Sequence, residues 1–317
     1  MRVFLFLLLV LFAPPVLAGG PQLGFSERQR PDGLGFDYLF SDTGRGEPRH
    51  LAFVLPTATV RGGAGSYGIA GHYDPAAVTA RVRAAVEPAA RALGDDVQAA
   101  VKASRGGYEL SVRVTGRRPR LGEVMAELKR VAAKAEADYL AEVYLRPLRV
   151  REVVPDYGRL AARFVEPVRP VAEALAAALP ATAAERERLA LALAFIQSIP
   201  YDTETAARRE NGYVVPPMML VQNKGACDSK SVTLASLLGT LLPGRPAAVI
   251  LVPEHAFLGV ALPALPGERT LDFEGRTYVL MEPVGPAQLP VGRLSDHSTR
   301  DLARLSGVTV LPVPPSP

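Results

Sequence analysis

A chain of 317 residues, 48% hydrophobic and 21% charged, carries enough apolar side chains for a packed core and does not have the composition of a disordered polypeptide. Its formal net charge of +4 comes from scattered Lys and Arg. The densest basic group, Arg117-Arg118-Pro119-Arg120, lacks an RNA-type aromatic motif, so it reads as a solvated turn and argues against a nucleic-acid partner.

In chain order, Arg2 is followed by "VFLFLLLVLF", a Pro14-Pro15 break and small residues up to Ala18, the pattern of a secretory signal peptide cut after Ala18. The apolar run is short for a bilayer, and no later segment is apolar enough to span one. The expected mature protein is therefore periplasmic or secreted, with no stable membrane span after cleavage. Its mild basicity suits an acidic envelope polymer.

Residues from about 20 to 48, rich in Gly, Pro and Arg, read as irregular, and "LAFVLP" (Leu51 to Pro56) as a strand. The glycine spacing of the next loop fits no phosphate-binding fingerprint. A helical period begins after Asp74, "YELSVRV" (Tyr108 to Val114) alternates like a half-buried strand, and Val124, Leu128, Val131, Ala135 and Tyr139 mark a long amphipathic helix. This order suggests a small α+β domain over 19–150, followed by a connecting segment over 151–182.

Thr182 and Glu185 have capping-box spacing ahead of "RLALALAFIQSI". A helix is expected to begin near Cys227, with Val232, Ala235, Leu238 and Leu242 on one face. "AAVILVP" and "HAFLGVAL" read as strands, "RTLDF" and "RTYVLMEPV" as a hairpin around Glu274-Gly275, and the Pro-rich end (301–317) as a loose tail.

Cys227 is the single cysteine, so it forms no internal disulfide; it is either an inert buried thiol, one used in an intermolecular bond, or a reactive one. A helix N-terminus favours a thiolate, because its unpaired N–H groups and macrodipole stabilise negative charge. Thiol-based acyl transfer also needs an imidazole and an acid to orient it. Of the four histidines, His255 opens a strand, His50 precedes one, and His72 and His297 lie in polar loops. Glu282 ends a strand expected beside that of His255, and Asp272 is the alternative acid. Gln222, five positions before the cysteine, is either an oxyanion donor or a surface residue. One cysteine and four dispersed histidines make no metal-ligand cluster, and no cofactor is expected.

"FIQSIPYD", "GACDSKSVTLASLL", "HAFLGV" and "YVLMEPV", in that order, resemble the transglutaminase-like (papain-like) cysteine peptidase superfamily over roughly residues 183 to 290. The resemblance implies an α+β fold with the nucleophile helix packed on an antiparallel sheet over 183–300. It also implies Cys227 as nucleophile, His255 as general base and Glu282 as orienting acid. Ala226 and Ser229 stand where such proteins often carry acids, and the Trp common in their sites is absent. The expected activity is hydrolysis of amide bonds in a protein or peptide of the cell envelope. Acyl transfer to amines, or a degenerate binding domain, are the alternatives.

Overall fold

The structure, a computed structural model, describes residues 20–42, 47–61, 63–69, 72–93, 96–104, 110–116, 118–149, 152–204, 213–253, 255–304 and 307–315. The expected signal peptide lies outside them. The fold is mixed α and β, with nine α-helices and four antiparallel sheets among the described residues.

Residues expected to be irregular instead form β1 (Gln22–Arg30) and β2 (Gly33–Asp42), which make a meander with β3 (Glu47–Pro56), the strand expected at Leu51 to Pro56. Phe36, Tyr38 and Phe40 alternate along β2, and all three are buried with Leu51, Phe53 and Leu55 of β3. That period of two is present in the sequence but lies among glycines and arginines. The short α1 (Thr57–Val60) follows.

Next comes a unit with its own core: α2 (Pro75–Arg91), β4 (Val97–Ala103), β5 (Leu110–Gly116) and α3 (Arg118–Glu142). Val86, Val97, Val124 and Leu128 are its buried centre. Asp74 caps α2, its carboxylate accepting from the Ala76 and Ala77 N–H groups at 2.9 and 3.1 Å. The hairpin of β6 (Leu145–Arg149) and β7 (Glu152–Pro155) returns the chain.

The expected connecting segment holds two buried helices, α4 (Tyr157–Arg163) and α5 (Arg169–Ala177). Leu160, Phe164, Val171 and Leu175 share a core with the aromatic face of β2 and β3, so the packing does not follow the expected divisions at 150 and 182. The rings of Tyr38 and Phe195 meet edge-on at 5.0 Å. Phe195 belongs to α6 (Glu185–Ser198). The N-cap of α6 is Ala184 rather than Thr182, and Glu187 reaches back to the Ala184 N–H at 3.0 Å.

After α7 (Pro216–Gln222), α8 (Cys227–Leu241) runs through the centre of the molecule. It touches α4, α5, α6 and α7, and packs on β8 (Ala247–Val252) and β9 (His255–Val260). Ser231, Thr233 and Ser236 return hydrogen bonds to carbonyls four residues earlier at 2.7–2.9 Å, so these buried hydroxyls are satisfied, whereas the Thr240 hydroxyl near the end of the helix has no partner among the described residues. Gly239 is needed for close packing, since a Cβ there would lie 2.5 Å from Val165.

The five-stranded sheet has the order β10 (Thr270–Phe273), β11 (Arg276–Met281), β9, β8 and β12 (Thr309–Pro312). The β10–β11 turn carries positive φ at Glu274 and Gly275, as expected for the hairpin. The C-terminal end is not a loose tail throughout: β12 pairs with β8, and Leu311 is fully buried. His297 lies in α9 (Asp296–Ala303), not in a loop. Among the described residues no helix is long and apolar enough to cross a membrane.

Candidate active site

Cys227 is the first residue of α8. The segment before it is held by a short ladder: the Gly225 N–H donates to the Pro200 carbonyl at 3.1 Å, and the Asp202 N–H to the Gly225 carbonyl at 3.2 Å. Gly225 must be small, because a Cβ would come within 2.7 Å of the buried Met219 side chain. Ala226 is the N-cap and brings no side-chain acceptor, so the cap residue itself covers none of the N–H groups beside the sulfur.

One turn along α8, the Ser231 hydroxyl bonds the Ala256 carbonyl of β9 at 3.3 Å. Residues four apart share a helix face, so this contact sets Cys227 over the start of β9, where His255 lies. Cys227 lies close enough to His255 to help raise its pKa. The Nε2 atom of His255 bonds Glu282 Oε1, which leaves Nδ1 as the ring nitrogen for the sulfur. Antiparallel pairing places Met281 opposite Leu258. Extending that register one step sets Glu282 opposite Phe257, diagonal to His255 and on the same face. Imidazole and carboxylate are therefore joined, with the helix start that carries the sulfur set over the same strand end.

Both members of the ion pair are shielded, the His255 side chain being 15% exposed and that of Glu282 5%. Burial opposes charge on His255, but Cys227 and then Glu282 together outweigh it and raise its pKa to about 10. Glu282 shows the same contest. Burial pushes its pKa up, while His255, the Ser298 hydroxyl at 2.8 Å and the Ser295 N–H at 3.2 Å pull it below the usual carboxylate value. Ser295 and Ser298 belong to the cap and first turn of α9, and nothing in the sequence pattern had tied them to the acid.

Asp272 lies in β10, exposed, and accepts from the Thr277 hydroxyl at 2.5 Å; it does not meet His255. Gln222 is exposed at the end of α7, with no contact to Cys227 or His255 among the described residues. His50 pairs with Asp37 at 2.9 Å and His297 with Asp301 at 3.2 Å, both away from the sulfur.

Around the sulfur, Asp228 accepts from the Tyr157 hydroxyl at 3.0 Å and the Ser229 N–H at 2.7 Å. Burial raises its pKa, partly offset by those donors. Ser229, one of the two departures from the superfamily pattern, is fully buried and accepts the Val214 N–H at 2.9 Å. It fastens the chain ahead of α7 to the nucleophile helix.

Lys230 is also fully buried; its ammonium donates to the Ile199 carbonyl, and no carboxylate beside it offsets its charge. Burial alone brings its pKa down to about 7. Between about 7 and 10.5 the folded protein thus binds fewer protons at this site than the unfolded chain, so its destabilising effect grows as pH falls and is complete below about 7. Lys230→Met is expected to stabilise the protein by about 1–4 kcal/mol at pH 6, the range found when apolar residues replace buried ionic groups. Urea unfolding at pH 6 and pH 10 checks this, with the gain shrinking at the higher pH.

Among the described residues no group of three or more His, Cys, Asp or Glu gathers in a way that would hold a metal ion. Comparison of the chain with protein-family models, with curated proteins and with solved structures finds no match.

Proposed function

We propose that the protein is a thiol-dependent amide hydrolase with Cys227 as nucleophile, His255 as proton carrier and Glu282 as the acid that orients His255, in a transglutaminase-like domain. The observation that carries the reading is the bond of a largely buried imidazole to a buried carboxylate, beside the strand start over which a helix-opening thiol is set. The chain order of Cys, His and acid, with the family-like stretches around them, supports the superfamily assignment.

In the proposed reaction the Cys227 sulfur bonds the carbonyl carbon of an amide. N–H groups of the first turn of α8 stabilise the oxyanion. The C–N bond breaks as His255 gives its proton to the leaving amine, which leaves a thioester on Cys227. Water then attacks the thioester, His255 takes its proton, and the carboxylic acid departs as the thiolate is restored. The proposed setting is the cell envelope, after removal of residues 1–18.

Reaction with iodoacetamide tests the nucleophile. Cys227 is expected to alkylate faster than a cysteine in an unstructured peptide at pH 7, and to form a thioester with an activated acyl donor that is detectable by mass. Water alone should clear that thioester at a rate little changed by added amine. Capture by the amine in preference to water would make the protein an acyl transferase, and alkylation at the peptide rate, unchanged in His255→Ala, would remove the enzyme reading altogether.

A further inference from the structure

Beside the proposed site lies a cavity of about 550 Å³, the size of a site for a few side chains. Leu23 and Phe25 of β1 form one wall, Ile199, Pro200 and Tyr201 form the floor, and Pro286 closes the far side. Tyr201 forms an isolated bridge with Gly225, two residues before the nucleophile. Its phenol pKa is raised by burial and then by Cys227 and Asp228, which places the ring near the sulfur. On the other side, Gly285 and Pro286 follow Glu282 by three and four residues. The cavity therefore adjoins the loop that delivers Cys227, through the bridge of Tyr201 to Gly225.

Its walls are tied together by side chains remote in sequence. Gln22 and Asn223 exchange two amide hydrogen bonds of 2.9 Å, fastening β1 to the loop that delivers Cys227. Gln288 donates to the Ser41 carbonyl at 2.7 Å and accepts from the Ser41 hydroxyl at 3.0 Å, fastening the Pro286 turn to β2. Gln197 holds the same turn from below, donating to the Glu282 and Leu289 carbonyls at 2.8 Å each. A Cβ on Gly285 would lie 2.3 Å from the Gln197 carbonyl oxygen, so a glycine is required for this closure. These ties hold the space open without filling it.

Two features define an occupant. Among the described residues lining the cavity none is charged, and apolar side chains make most of its surface. A charged group entering it would lose water with no counter-charge to meet. Further, among the described residues β1 pairs only with β2, so its other edge presents a row of backbone donors and acceptors with no strand beside it there. An extended chain bonds such an edge as an added strand.

We infer that this cavity, walled on one side by strand β1, selects an extended peptide segment with uncharged, apolar side chains and presents it to Cys227. The inference rests on the proposed function above, and deepens it by naming the substrate class.

The test uses acetylated tetrapeptide amides as protectants of Cys227 against iodoacetamide: one set carries Leu, a second Glu, a third Lys. Protection does not depend on which side of the scissile bond the cavity receives. In the full chain the Leu peptides should halve alkylation at a concentration about 10- to 100-fold lower than the charged ones, the ratio that burial of one leucine side chain supports. Leu23→Glu should move the preference from Leu to Lys peptides, with protection read against that variant's own unprotected rate, a reversal that misfolding cannot produce. Equal protection by all three sets, or a preference untouched by Leu23→Glu, overturns the inference and leaves the catalytic reading in place. Alkylation that is slow and indifferent to His255→Ala sinks both.

Discussion

His255→Ala is expected to lower turnover of an acyl substrate by about a thousandfold while slowing alkylation of Cys227 by only about thirtyfold at pH 7. The two losses differ because the reactions ask different things of the imidazole. Alkylation needs only thiolate, and an ordinary cysteine still holds a few per cent of it at neutral pH, which bounds the loss. Turnover also needs a proton delivered to the leaving amine and another taken from water. Positioned acid–base groups contribute about 10²- to 10⁴-fold to such steps. The position of His255, with one ring nitrogen on Glu282 and the other toward Cys227, serves both transfers without moving the ring. Parallel rates of iodoacetamide alkylation and thioester release in wild type and variant measure the two losses. Equal losses in both would mean that His255 stabilises the thiolate and transfers no proton, contrary to the proposed mechanism.

The three groups of the site were legible in the sequence because each sits at the end of an element with a strong local pattern. Gly225 before the helix, the apolar run after Cys227, the "HAFLGV" strand and the hairpin at Glu274-Gly275 all carry their own periodicity or turn chemistry. Once two strands joined to one sheet were expected, an acid at the end of one fell near the start of the other. The choice of Glu282 over Asp272 needed the register itself. What surrounds the site was not legible, since it comes from distant parts of the chain. Ser298 on Glu282, Tyr157 on Asp228 and Gln22 on Asn223 are polar pairs that leave no period in the sequence. Lys230 carries no sequence signal of burial, and it is buried because four helices and the sheet pack around α8. Strands β1 and β2 were missed where aromatic alternation was diluted by Gly, Pro and Arg, and β12 where prolines flank a short edge strand.

Glu282→Ala should destabilise the fold by about 3–5 kcal/mol near pH 6, the cost of removing one partner from a buried ion pair. The carboxylate is almost fully enclosed and serves three donors at once: His255, the Ser298 hydroxyl and the Ser295 N–H. Alanine leaves all three unsatisfied in a place water does not reach. The pH dependence follows from the two shifts. His255 has a raised pKa, so its share of the stability is complete below about 6.5 and is lost as pH rises toward about 10. Glu282 has a lowered pKa, so its share is complete above its ordinary value of 4.5 and is lost as pH falls through the lower folded value. The difference between wild type and Glu282→Ala should therefore be widest between about 4.5 and 6.5 and narrow on both sides. Glu282→Gln keeps the shape and an acceptor oxygen, and should lose less stability, but it gives up the charge that holds His255 protonated. Urea unfolding of the three proteins at pH 3, 5.5 and 9.5 measures this. A gap between wild type and Glu282→Ala that stays constant across those values would show that His255 and Glu282 are not paired as ions, and would take away the electrostatic basis for the role of Glu282.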